Sequence, residues 1–255
     1  MTREIRIEPT AEAVALAAAS EFTQQAAEAV NARGLSTAAL SGGSTPRALY
    51  SLLASDQYRD QVPWEKTHFF WGDERDVPPD HPDSNYRMAD EAMLSKVPVP
   101  SSNVHRVKTE LADAVEAAAQ YEEELRTVFQ IPGGEFPRFD LILLGMGPDG
   151  HTASLFPGTE ALGEQHRLVV ANRVEKFGTY RITMTLPVLN NAACVMFLVT
   201  GEDKARILKE VLEGEPGPYP SQLIQPVNGR LLWLVEQNAA SLLQSKALLH
   251  GQIQE

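Results

Sequence analysis

Six short runs of almost uniformly apolar residues, set between stretches with helical spacing, constrain this 255-residue chain more than any other feature. They are Thr37 to Leu40, His68 to Trp71, Phe139 to Leu144, Leu168 to Ala171, Val195 to Thr200 and Leu231 to Val235. A strand with one face in water alternates apolar and polar residues, whereas a strand apolar throughout has both faces covered. Such strands alternating with helices predict a doubly wound α/β fold, a mainly parallel sheet with helices on both faces. The helical stretches are Thr10 to Arg33, Pro46 to Leu53, Asn85 to Leu94, Leu111 to Phe129, Asp203 to Leu212 and Gln237 to Leu248. In the first, Phe22, Ala26, Ala29 and Val30 mark one face, and Gly34 is placed to end it.

With 43% apolar residues, no internal repeat and only short Pro/Gly clusters, residues 1–255 read as a single domain with a full core. No run of about 18 apolar residues is present to cross a bilayer. The start, Met1 to Pro9, is a mixed Arg/Glu/Ile segment rather than a signal sequence, which predicts a cytoplasmic protein. The only cysteine, Cys194, lies in the apolar run Ala192 to Val199, so it allows neither an internal disulfide nor a cysteine metal cluster and reads as a buried small hydrophobe. A net charge of -12 argues against nucleic acid as a partner. It also means that an anionic ligand needs a local cationic pocket. Monomer and small homo-oligomer both stay open.

In a doubly wound sheet, ligands gather beyond the carboxyl ends of the strands, so polar sequence just after a strand carries the functional information. Ser41-Gly42-Gly43-Ser44-Thr45-Pro46 follows the first run and precedes a helix. Its glycines let backbone N–H groups approach an anion, Ser44 and Thr45 add hydroxyl donors, and Pro46 suits the first helical position. This is a phosphate cradle or an ordinary strand-to-helix turn with a Thr cap; the glycine spacing and Lys of a P-loop are absent. After the second run come Asp73-Glu74-Arg75, expected to point into the crevice together. Arg75 could grip an oxyanion with Asp73 orienting it, or the two could simply pair with each other. Ser84 reads as the cap of the next helix.

The most informative cluster is Gly145 to Ser154, which follows Phe139 to Leu144 and holds Asp149 and His151 in a Gly-rich turn. A carboxylate two residues from an imidazole can set its tautomer and raise its basicity, which makes His151 a candidate general base; the alternative is a structural histidine. After Val195 to Thr200, Lys204 falls in the first turn of a helix, where a cation is unfavourable unless it serves an anion or pairs with Glu202 or Asp203. A parallel sheet delivers these four strand ends to one rim. Together they offer a backbone cradle, two cations, two carboxylates and an imidazole, the set needed for proton-assisted chemistry on a phosphorylated substrate.

At these residues the chain resembles the 6-phosphogluconolactonases, relatives of the glucosamine-6-phosphate deaminases. The matching stretches are LSGGSTPRALY (Leu40 to Tyr50), WGDERDVPPDHPDSNYRMADEAML (Trp71 to Leu94), FDLILLGMGPDGHTASLFPG (Phe139 to Gly158) and RITMTLPVLNNAACVMFLVTGEDKA (Arg181 to Ala205), with a weaker match from Pro220 to Leu243. The resemblance implies hydrolysis of the δ-lactone of 6-phosphogluconate in the oxidative pentose phosphate pathway, with no metal or organic cofactor. It assigns phosphate handling to the Ser41 to Thr45 loop, Arg75 and Lys204, and activation of water to His151. Deaminases continue after the histidine with an Asn-Glu pair whose glutamate supports ring opening; here those positions are Leu155 and Phe156, which carry no proton. Glu236 stands where similar sequences have Asp, at an expected helix start. A Ser-centred esterase lacks its G-x-S-x-G elbow, and a non-catalytic sugar-phosphate regulator has no need of Asp149 and His151.

Overall fold

The computed structural model of the chain describes residues 2–111 and 113–244, and within them the fully apolar runs pair side by side, as their composition requires. β1 (Thr2–Glu8), β2 (Ser36–Leu40), β3 (Thr67–Trp71), β5 (Leu141–Leu144), β8 (Cys194–Val199) and β9 (Arg230–Glu236) form one sheet in the order β1-β9-β8-β5-β2-β3. Every pairing in it is parallel, with Ala38 of β2 opposite Phe69 on one side and Leu141 on the other.

Successive residues of a strand point to opposite faces, so each strand feeds two cores. Leu40, Trp71, Leu143 and Met196 pack under α1 (Ala11–Arg33), α2 (Ser44–Leu53) and α3 (Asn85–Ala92). Ala39, Phe70, Ile142 and Phe197 pack under α4 (Ala114–Phe129), the short α5 (Leu186–Asn190) and α6 (Ala205–Glu213). The fold is therefore α/β, wound on both faces. The Thr10 side chain accepts from the Ala13 amide and starts α1, and Gly34 ends it by donating to Val30 O at 2.8 Å. Cys194 is buried in β8, which pushes its thiol up to about 11 and leaves it inert. Among the described residues no helix is long and apolar enough to cross a membrane.

The chain leaves β2 through α2 to β3 on one side, and reaches β5 on the other side of β2 only after α4. That reversal opens a crevice between the carboxyl ends of β2 and β5, the place such folds use for ligands.

Several expectations are corrected. Leu168 to Ala171 does not join the parallel sheet. It begins β6 (Val169–Val174), which pairs antiparallel with β7 (Thr179–Met184), and β7 in turn with β4 (Asp73–Arg75), as a separate three-stranded sheet. The run is apolar because α4 covers it. β1 escaped notice because its charges interrupt the apolar pattern. They are used at the sheet edge, where Arg230 meets Glu4 and Glu21 at 2.6 Å each and Arg6 meets Glu21 at 2.8 Å. Of the expected helix Gln237 to Leu248, residues 237–242 are turns, 243 and 244 have no regular structure, and the rest lies outside the described residues.

Candidate active site

The loops after β2, β3, β5 and β8 enclose one pocket of about 460 Å³ at the crevice. Ser41, Gly42, Gly43, Ser44, Thr45, Asp73, Arg75, His151 and Lys204 all line it. Asp149 does not; it stands behind His151.

On the β2 side, the Ser41 amide donates to Tyr50 Oη at 2.9 Å and Tyr50 Oη donates to Ser41 O at 2.8 Å, which pins the strand end to α2. Ser41 Oγ is buried without a partner among the described residues, at a pocket wall. A buried hydroxyl left unpaired is costly, so a ligand acceptor there would be favourable. Gly42 is required by close approach, because a Cβ would overlap the Asn85 carboxamide, itself held by Asp73 O at 2.9 Å. α2 begins at Ser44 with Gly43 as its cap residue, and no side chain caps its first turn. Its leading amides therefore face the pocket as a ready anion site. Two details differ from expectation. Pro46 is the third helical residue, still within the turn where its missing donor is harmless, and the Thr45 hydroxyl is shared with Thr200 Oγ1 at 2.7 Å instead of being free.

The three charged residues after β3 do not act together, because they form β4 and a strand alternates its faces. Asp73 and Arg75 line the pocket, while Glu74 is buried on the other side, accepting from the amides of Asn85 at 2.7 Å and Tyr86 at 2.8 Å and from Ser84 Oγ at 3.2 Å. Glu74 thus holds the start of α3, where Ser84 also caps by accepting from the Arg87 amide at 3.1 Å. Burial raises its pKa and the Asp73 charge adds to that, against the amide bonds. Asp73 and Arg75 neither pair nor orient one another: Asp73 Oδ2 accepts from Ser154 Oγ at 2.6 Å, and Arg75 Nη1 donates to Asp83 O at 2.8 Å.

After β5 the chain makes a braced turn. The Gly147 amide donates to His151 O at 2.9 Å, Thr152 Oγ1 to Gly145 O at 2.8 Å, and Ser221 N and Oγ to Gly150 O at 3.0 and 2.9 Å. A Cβ on Gly147 would overlap the His151 imidazole, so the loop passes where only glycine fits. His151 Nδ1 lies 2.5 Å from Asp149 Oδ1, and its ring stacks on Phe156 at 4.2 Å. The carboxylate places the proton on Nδ1 and leaves the Nε2 lone pair for the pocket, a tautomer assigned from the hydrogen bond. Burial pushes Asp149 up, yet the hydrogen bond and charge of His151, with Lys176 at 3.2 Å, bring it down to about 2. The small sheet carries this loop, since Ser154 N donates to Thr183 Oγ1 at 3.3 Å and Asn172 Nδ2 to Ser154 O at 2.8 Å.

Lys204 closes the fourth side. Residues Glu202–Lys204 form a 3-10 turn, so α6 starts one residue after the lysine. Lys204 lines the pocket and pairs with Asp203 Oδ2 at 2.7 Å, the ion pair that the sequence offered as one alternative. Glu236 is not at a helix start. It ends β9 and accepts from the Gly201 amide at 2.7 Å, fixing the turn that carries Lys204.

Sequence reasoning missed Lys176 and Thr200, and took Asp203, which also lines the pocket, only as a partner for Lys204. Thr200 sits at the end of a strand, as Ser41 does, and that position was its signal. Lys176 belongs to the β6–β7 hairpin, 27 residues from Asp149, and carries none. Among the described residues, no group of three His, Cys, Asp or Glu gathers as a metal centre would need.

Comparison with known proteins bears on what this pocket does. The family described as "Glucosamine-6-phosphate isomerases/6-phosphogluconolactonase" matches residues 9–233. The chain is 49% identical over 224 residues to a 6-phosphogluconolactonase of Synechocystis sp., covering 87% of this chain and 90% of that protein. A 6-phosphogluconolactonase of Nostoc sp. is 47% identical, covering 84% and 88%. Among solved structures, a 6-phosphogluconolactonase from Trypanosoma cruzi superposes with a TM-score of 0.84 at 29% identity, covering 96% of this chain and 98% of that one.

Proposed function

The chain belongs to the glucosamine-6-phosphate isomerase/6-phosphogluconolactonase family, and from that premise we infer that it hydrolyses 6-phosphogluconolactone to 6-phosphogluconate. The observation that carries the reading is the Asp149–His151 pair opening onto the same pocket as the uncapped start of α2 and Lys204. A deaminase would need a proton-carrying side chain after the histidine. Leu155 is instead fully buried in the core and Phe156 is spent stacking on His151.

In this reaction the phosphate docks against the amides of Gly43, Ser44 and Thr45, the hydroxyls of Ser41 and Ser44, and Lys204, which turns from Asp203 to the stronger anion. Binding at that remote handle places the lactone carbonyl beside His151. Nε2 of His151 takes a proton from water as the water oxygen bonds to C1, and the negative charge on the C1 oxygen develops next to Arg75. Asp149 holds the imidazole in the required tautomer. Asp73, braced by Ser154, offers its second oxygen to a sugar hydroxyl. When the tetrahedral centre collapses, the C1–O5 bond breaks with its electron pair going to O5, which takes the proton held by His151. The carboxylic acid then loses its proton to solvent. General-base assistance of about 10² to 10⁴-fold, added to positioning, suits an ester as reactive as a lactone.

The test is a side-by-side assay with freshly made 6-phosphogluconolactone and glucosamine 6-phosphate, spontaneous hydrolysis subtracted. Turnover of the lactone, undiminished by EDTA, and none of the amino sugar is the expected outcome. Deamination in place of lactone hydrolysis would overturn the reading.

A further inference from the structure

One half-buried cation, on the strand paired with the pocket-lining Arg75 though not itself among the lining residues, has no task. Arg181 has no hydrogen bond and no ion pair among the described residues; its guanidinium rests only over the Phe177 ring, 5.4 Å from the centroid. It also stands directly opposite Arg75 in the antiparallel β4–β7 ladder. Residues opposite one another in such a ladder share a face, and like charges there are destabilising unless an anion separates them. Burial and then the Arg75 charge both make Arg181 harder to protonate, against the pull of Asp73, Asp83 and Glu74.

Register shows which face this is. Arg181 is flanked by Arg75 on β4 and Asn172 on β6. Asn172 donates to Ser154 O at 2.8 Å, and in the next row Asp73 and Thr183 both hold Ser154. The Arg75–Arg181 face therefore looks onto the loop that carries His151. A second path agrees: Arg181 lies over Phe177, Phe177 meets Phe156 edge-on at 5.7 Å, and Phe156 stacks on His151 at 4.2 Å. The phosphate cradle is built elsewhere, from α2 and Lys204.

We propose that Arg181 is the second guanidinium of a clamp, paired with Arg75, that holds the C1 end of the ligand: the carbonyl oxygen as it becomes negative and the carboxylate of the product. Two planar guanidinium groups on one face match a carboxylate's two oxygens, and the anion between them removes the like-charge repulsion. The role rests on the lactonase reading, and it is a binding role, distinct from that of His151.

Calorimetry on the full chain separates the two. The ligands are 6-phosphogluconate and glucitol 6-phosphate, which keeps the phosphate and the carbon chain but has CH2OH in place of the carboxylate. R181Q is expected to weaken 6-phosphogluconate by about tenfold or more, leave glucitol 6-phosphate unchanged, and so serve as its own folding control; R181K should recover part of the loss. Equal weakening of both ligands, or no weakening of either, would overturn the clamp while the lactonase reading stands. A wild-type protein that binds neither ligand would overturn both.

Discussion

Asp149 touches His151 and Lys176 at once: Oδ1 is 2.5 Å from His151 Nδ1 and Oδ2 is 3.2 Å from Lys176 Nζ, so a carboxylate outside the pocket governs the imidazole inside it. Asp149→Asn leaves the shape but lets the ring take the wrong tautomer. Steady-state kinetics should show kcat lower by about 10²-fold or more with KM nearly unchanged, since general acid–base assistance is worth that much.

The same carboxylate carries a pH signature. Its folded value, about 2 against an ordinary 3.8, is depressed, so its contribution to stability is complete above about pH 4 and is lost as pH falls towards 2. Urea unfolding of wild type and D149N across that window should show the wild-type advantage shrinking as pH falls. An advantage that grew on acidification would contradict the direction of the shift.

Lys204 and His151 sit at opposite ends of the proposed ligand, so their variants should fail differently. Lys204→Ala should raise KM for 6-phosphogluconolactone by about 10- to 100-fold, the worth of a charged hydrogen bond, and hardly affect gluconolactone without phosphate. His151→Ala should lower kcat for both lactones. Kinetics with the two substrates check this pattern, and the reverse split would overturn the roles.

Gly147 offers a test that alters no functional group. Alanine there would press its Cβ into the His151 ring. Gly147→Ala should lower kcat by about tenfold or more, while binding of 6-phosphogluconate, measured by calorimetry, stays close to wild type.

Much of this was legible in the sequence, for a physical reason. A fully apolar strand in a covered sheet can place only its end in solvent, so the Ser41–Thr45 and Gly145–Ser154 segments were marked as site loops by what preceded them. Glu74 was misplaced because three residues do not reveal a strand; β4 exists through its pairing with β7, and only that pairing sends Glu74 inward to α3. Arg181 and Lys176 were passed over because their neighbours in space, Arg75 and Asp149, come from other parts of the chain. Glu236 was read as a helix start because a helical stretch was expected from Gln237, whereas its carboxylate is engaged by the Gly201 amide, 35 residues away.

The most direct measurement is a crystal structure of the protein with 6-phosphogluconate bound. The phosphate should lie against the Ser44 and Thr45 amides and Lys204 Nζ, with the carboxylate beside Arg75 and within reach of His151 Nε2. A ligand lying reversed, or a carboxylate beyond contact with His151, would contradict the assignment of one pocket with a phosphate end and a proton-transfer end.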